Sequence, residues 1–258
     1  MLLAIDVGNT QTVAGLFSGG TLAGSWRLTS SATHTTDELA LLYRQILESA
    51  GHDAAAVTGL AVCSVVPALT SEYRDLGRRL FDCPTLVIDH RAVRDLVILN
   101  HDPGSVGADR LVNAVAALRA HGRPVIVVDL GTATTFDVVD ADGAYAGGVI
   151  APGAMTSAQA LFQKGARLAR VEILEPERVV GRNTEESIQS GVYFGTVGSV
   201  DALVDRIKTE MGFPAGTPVV ATGGLAGAVA RRSRTITAVD PSLTLTGIRL
   251  VWEMNQER

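Results

Sequence analysis

The feature that most constrains this chain is a repeat that begins at Asp6 and begins again at Asp129. Laying one on the other sets an offset of 123 (129 − 6). At that offset, with no gap, Gly8 falls on Gly131, Thr12 on Thr135, Gly20 on Gly143, Ala23 on Ala146 and Gly24 on Gly147. Each copy reads as a three-stranded meander. In the first, Leu2–Asp6, Thr12–Phe17 and Thr21–Leu28 are joined by Gly8-Asn9 and Ser18-Gly19-Gly20. In the second, Val125–Asp129, Thr134–Val139 and Ala144–Ile150 follow, with the last turn at Asp140-Ala141-Asp142-Gly143. Short apolar runs bounded by Gly, Asn and Asp are strand and turn signals. Two unrelated hairpins also share Gly and Asp at their turns, but the common register favours an internal duplication.

Helices follow each meander. Thr35 and Glu38 have capping-box spacing, and Leu39, Leu42, Ile46 and Leu47 recur at helical intervals. Gly59–Val66 reads as a buried strand, Ala68–Leu80 as a helix, Thr85–Ile88 as a strand and Ala108–His121 as a helix. After the second meander the pattern predicts a helix near Met155–Gly165, a long one from about Thr184 to Met211, a strand Val219–Thr222 ending in Gly223-Gly224, and a closing helix from Asp240-Pro241. The fold class is α/β, built of two similar halves, 1–118 and 119–258.

Composition narrows the function. A formal net charge of −5 lacks the basic excess that neutralises nucleic-acid phosphates, so no nucleic-acid partner is expected. The N-terminus reaches Asp6 without the basic flank and long apolar stretch of a signal peptide. No apolar run approaches the length of a membrane span, so a cytoplasmic protein with no membrane partner is expected. Cys63 and Cys83 lack metal-ligand spacing and read as reduced packing residues. The five histidines are scattered without ligand spacing.

The chemistry concentrates where the first strand of each meander turns into the second. In Asp6-Val7-Gly8-Asn9-Thr10-Gln11-Thr12, glycine permits close approach, and backbone N–H groups with threonine hydroxyls can converge on an anion. The Asp6 carboxylate suits Mg²⁺ (or Mn²⁺), held through water. Asp129-Leu130-Gly131-Thr132-Ala133-Thr134-Thr135 offers the same groups, and two such hairpins facing each other would clamp a polyphosphate. Neither is a Walker loop, because no Gly-Lys-Thr or Gly-Lys-Ser follows. Taken singly, each hairpin is more often a satisfied turn, and it is the pair in matching places that favours the functional reading. Asp109, at the start of a helix, reads by itself first as a cap, and Arg110 as a solvated helix residue.

With these segments in view, the chain resembles the actin, hexokinase and Hsp70 superfamily of ATPases, and within it type III pantothenate kinase. The likeness rests on IDVGNTQT at Ile5–Thr12, TDEL at Thr36–Leu39, CSVVP at Cys63–Pro67 and VGADR at Val106–Arg110. It continues through VDLGTATTFDV at Val128–Val138, GGVIAPG at Gly147–Gly153, GRNT at Gly181–Thr184 and QSG at Gln189–Gly191. The resemblance implies a duplicated actin-like ATPase (ribonuclease H-like) fold with a nucleotide cleft between its halves. It implies ATP-dependent phosphorylation of pantothenate to 4'-phosphopantothenate, the first step of coenzyme A biosynthesis.

Carried over by residue, the resemblance implies that Asp6, Val7, Gly8, Asn9, Thr10, Gln11, Thr12 and Val13 bind ATP, with Thr132 adding a contact. Asp129 would hold a monovalent cation, K⁺ or NH₄⁺. Gly107, Ala108, Asp109 and Arg110 would bind pantothenate, with Asp109 as proton acceptor, and Thr184 would reach the substrate across a homodimer interface. One departure stands out: many family members place a Tyr near the substrate where this chain has Asn100. Two other readings use the same fold: a regulatory transcription accessory homologue that binds without phosphoryl transfer, and a sugar kinase of the superfamily. The intact Asp109, Asp129 and Thr132 argue against the first, and the chain has neither an inserted sugar-binding lobe nor a Cys-rich zinc site for the second.

Overall fold

A computed structural model describes residues 1–164 and 173–256. The chain divides into two units, Met1–Ala116 with Leu243–Arg258, and Ala117–Ser242. In the first, β1 (Leu2–Val7), β2 (Gln11–Ser18) and β3 (Thr21–Thr29) form the meander. Helix α1 (Thr36–Ser49), β4 (Gly59–Ser64), α2 (Pro67–Leu76), β5 (Thr85–Ile88) and α3 (Ala108–His121) follow. The sheet order is β3-β2-β1-β4-β5, with β4 parallel to β1. Leu3, Ile5 and Val7 on β1 are fully buried, each worth about 1.5–3 kcal/mol on removal from water.

The second unit contains β6 (Val125–Leu130), β7 (Ala133–Val139), β8 (Tyr145–Pro152), α4 (Ala154–Lys164), α5 (Thr184–Met211), β9 (Val219–Thr222), α6 (Ala226–Ala230) and β10 (Ala238–Val239). Its sheet order, β10-β9-β6-β7-β8, repeats that of the first, with β9 parallel to β6. The expected residue Gly165 at the end of α4 lies outside the described residues. Helix α5 begins where the Asn183 side chain accepts a hydrogen bond from the Glu186 N–H at 2.8 Å, and it ends at Gly212 in the left-handed region. Its buried stripe of Val197, Val200, Val204 and Ile207 keeps helical spacing against the second sheet's core.

The strand ladders correct the gap-free alignment. Val7 pairs with Thr12, whereas Leu130 pairs with Thr134, so Thr12 corresponds to Thr134 and not to Thr135. In the third strands the offset returns to 123: Gly24 lies opposite Leu16, and Gly147 opposite Val138. A register shift follows immediately in both units, between Leu16 and Phe17 and between Val138 and Val139. The first turn is thus one residue shorter in the second unit and the next turn one residue longer. The two changes cancel in the sequence, so only the pairing reveals them.

Other differences are local. Helix α1 has its capping box, with the Thr35 hydroxyl accepting from the Glu38 N–H at 3.3 Å. Its buried face is Thr36, Leu39, Tyr43 and Leu47, with Leu42 and Ile46 half-buried. The helix expected over Ala68–Leu80 runs as α2 to Leu76 and then widens into a looser turn over Gly77–Phe81. The closing helix α7 (Leu243–Met254) packs with the first unit, although the expected division placed all of 119–258 in one half. Glycines make this possible: Gly15 lies under Leu245, Gly59 under Trp252, and Gly247 against the Val112 backbone, each with no room for a Cβ. The short α6 and β10 have too few residues to register as periodic patterns.

Candidate active site

The tip of the first hairpin is closed by the Gly8 N–H donating to the Gln11 carbonyl at 3.1 Å. Asn9, Thr10 and Gln11 are exposed there, and Asp6 is half-buried at the end of β1. Val7 and Thr12 point the other way. Val7 is fully buried and Thr12 is 1% exposed, its hydroxyl bonded to the Ser30 hydroxyl at 2.9 Å. Their side chains are therefore turned away from the tip, where Thr10 is exposed. Val13 is half-buried on β2.

The second hairpin is one residue tighter, with the Gly131 N–H donating to the Ala133 carbonyl at 3.1 Å. Gly131 and Thr132 are exposed and Asp129 is half-buried. Three residues crowd this turn. A Cβ on Gly223, whose φ is +90°, would sit 2.6 Å from Asp129 Oδ1. A Cβ on Gly153 would collide with the carbonyl oxygens of Gly131 and Thr132. Thr156, in the first turn of α4, donates its hydroxyl to the Thr132 carbonyl at 2.6 Å. Gly153 closes GGVIAPG and Gly223 opens the Gly-Gly turn, so both segments find a role in shaping the hairpin.

Asp109 occupies the first turn of α3, where Oδ1 accepts from the Arg110 N–H at 2.9 Å. Gly107 leaves room for that carboxylate, since a Cβ there would strike Asp109 Oδ1. Burial pushes the Asp109 carboxyl above its ordinary value, and the Arg110 N–H and guanidinium oppose the shift. Cys63, the ladder partner of Asp6, is fully buried. Burial raises its thiol well above the ordinary value, and the charges of Asp6 and Asp109 both add to the effect. Asp6 and Asp109, 103 residues apart (109 − 6), thus act on a common neighbour. Ala108 is buried and Arg110 half-buried.

Thr184 is exposed at the start of α5, in the second unit. Just ahead of it, Val179 and Val180 are 65% and 80% exposed. The Oδ1 of Asn100 is buried and, among the described residues, has no hydrogen-bond partner. Sequence reasoning also missed an open cleft of about 430 Å³ lined by Ser64, Val65, Pro67, Thr70, Ser71 and Arg74. Ser64 is the ladder partner of Val7, so the cleft adjoins the strand that carries the first hairpin. The CSVVP segment was its one signal.

Comparison with known proteins decides the family. The model for type III pantothenate kinase matches residues 2–206. A type III pantothenate kinase of Acidothermus cellulolyticus is 46% identical over 256 residues, covering 99% of each chain. One from Anaeromyxobacter sp. (strain Fw109-5) is 48% identical, covering 99% of this chain and all of that one. The chain belongs to the type III pantothenate kinase family. Among solved structures, the activator of the 2-hydroxyisocaproyl-CoA dehydratase from Clostridium difficile, with bound ADPNP, matches at a TM-score of 0.58. It is 13% identical and covers 100% of this chain and 97% of that one, a likeness of fold alone. The fold of this pantothenate kinase family member is the duplicated actin-like ATPase fold. Family membership supports the kinase reading over the regulatory and sugar-kinase alternatives.

Proposed function

We propose that the chain is an ATP-dependent pantothenate kinase, transferring the γ-phosphoryl group of ATP to the primary hydroxyl of pantothenate to give 4'-phosphopantothenate and ADP. The observation that carries this is the full-length match to the family at 46–48% identity. The backbone of Asp6–Val13, the Thr10 hydroxyl and Thr132 bind the ATP phosphates. Gly107–Arg110 bind pantothenate, with the Arg110 guanidinium meeting its carboxylate. Asp109 accepts the hydroxyl proton as the phosphorus–oxygen bond forms and the bond to ADP breaks. Its raised carboxyl supports this role, because a base with an elevated pKa holds the transferred proton better. Positioning and electrostatics carry most of phosphoryl transfer, so the base has only to receive a late proton.

The residues present fit a divalent ion shared with ATP. Among the described residues no group of three or more His, Cys, Asp or Glu side chains could cage a metal alone. One carboxylate, Asp6, with phosphate oxygens and water is the usual Mg²⁺ arrangement. Mg²⁺ when bound would offset charge on the transferring phosphoryl. Asp129 would hold K⁺ or NH₄⁺. Thr184 reaches pantothenate from the partner in a cytoplasmic homodimer, and the exposed Val179 and Val180 beside it support an interface there.

The test is a coupled assay of the purified protein with ATP, Mg²⁺ and pantothenate, with and without K⁺. Potassium-stimulated ADP release that depends on pantothenate is expected. Phosphorylation of a sugar with pantothenate inert, or activity indifferent to potassium, would overturn the activity or the role of Asp129 respectively.

A further inference from the structure

The second hairpin raises a question that its sequence does not answer: what holds its amides outward. Its residues are joined by trans peptides. In a trans peptide the carbonyl oxygen and the following N–H point to opposite sides of the bond. The Gly131 and Thr132 carbonyls both face the start of α4, one against Gly153 and the other also bonded by the Thr156 hydroxyl at 2.6 Å. The N–H groups of Thr132 and Ala133 are therefore turned to the opposite side, away from α4. Successive N–H groups aimed one way make an anion-binding nest. The Gly131 N–H is engaged separately with the Ala133 carbonyl, which keeps the turn closed.

We propose that Thr156, by fixing the Thr132 carbonyl against α4, is a positioning residue that presents the Thr132 and Ala133 amides to the phosphates of the nucleotide. This rests on the proposed ATP contact at Thr132 and adds to it a residue that need not touch ATP. Gly153 provides the space and Thr156 the bond. Thr156 is exposed, so its loss leaves the core intact. A hydroxyl is required but its β-methyl group is not, so Ser serves where Val, of nearly the same shape, does not.

The experiment titrates wild type, Thr156→Val and Thr156→Ser with a non-hydrolysable ATP analogue and Mg²⁺, without pantothenate, alongside thermal melts and steady-state kinetics. The Val variant is expected to bind the analogue about 3- to 10-fold more weakly, the range for one lost hydrogen bond. Its KM for ATP should rise to match, with KM for pantothenate and the melting temperature near wild type, and Ser should restore binding. Equal affinity in the Val variant, or a Ser variant as weak as Val, would overturn the proposal. So would a wild-type chain that binds no nucleotide. Because pantothenate is absent from the titration, a failure of the pantothenate assay leaves this result readable.

Discussion

Asp6 on β1 is the direct ladder partner of Cys63 on β4 in the first sheet. The same rung of the second sheet holds Asp129 and Thr222. At the first rung, a thiol shut away from water also faces the charges of Asp6 and Asp109, so its ionised form is disfavoured twice.

Thiol labelling follows from this. Cys63 is 0% exposed and Cys83 8%, and burial raises both thiols above their ordinary value. Because the thiolate is the reactive form, alkylation of the native protein at neutral pH should be at least about tenfold slower than in guanidinium, where both react. Rapid labelling of native Cys63 would contradict the packing between β1 and β4.

Asp109→Asn should lower turnover by about 10²–10⁴-fold, the usual worth of a general base, with nucleotide binding retained. Its stability should show the opposite sign. The folded pKa of Asp109 lies above the unfolded value, so the native state binds more protons in the interval between them. Stability from this group is therefore lost as pH rises through that interval. Asn does not titrate, so chemical denaturation should show the variant gaining on wild type from acid to neutral pH. A variant that instead loses ground to wild type as pH rises would mean that Asp109 is stabilised as the anion.

Gly223→Ala should weaken both the fold and the response to potassium. At φ +90° an L side chain costs about 1–2 kcal/mol from backbone strain alone, and the new Cβ would press on Asp129 Oδ1. A lower melting temperature and a right-shifted potassium activation curve are expected. An unchanged curve would separate Asp129 from the monovalent cation.

Thr10 and Thr12 should behave oppositely when changed to Val. The Thr12 hydroxyl is buried on Ser30, so Thr12→Val should cost about 1–3 kcal/mol of stability and leave KM for ATP near wild type. Thr10 is exposed at the hairpin tip, so Thr10→Val should raise KM for ATP. The reverse pattern would place the Thr12 hydroxyl on the nucleotide.

The sequence alone determined the duplicated meander, most of its strands and helices, and the two Asp-Gly hairpins, because alternation, capping and turn chemistry are local and leave local traces. The helix over Ala108–His121 and the strand Val219–Thr222 match their expected bounds. Tertiary structure decided the rest. That Thr12 corresponds to Thr134 follows only from strand pairing, since two opposite one-residue changes cancel along the chain. That α7 packs with the first unit, that Cys63 pairs with Asp6, and that Thr156 holds Thr132 are contacts between residues far apart in sequence. Such contacts depend on which surfaces can approach closely in three dimensions, and no periodicity within one segment encodes them.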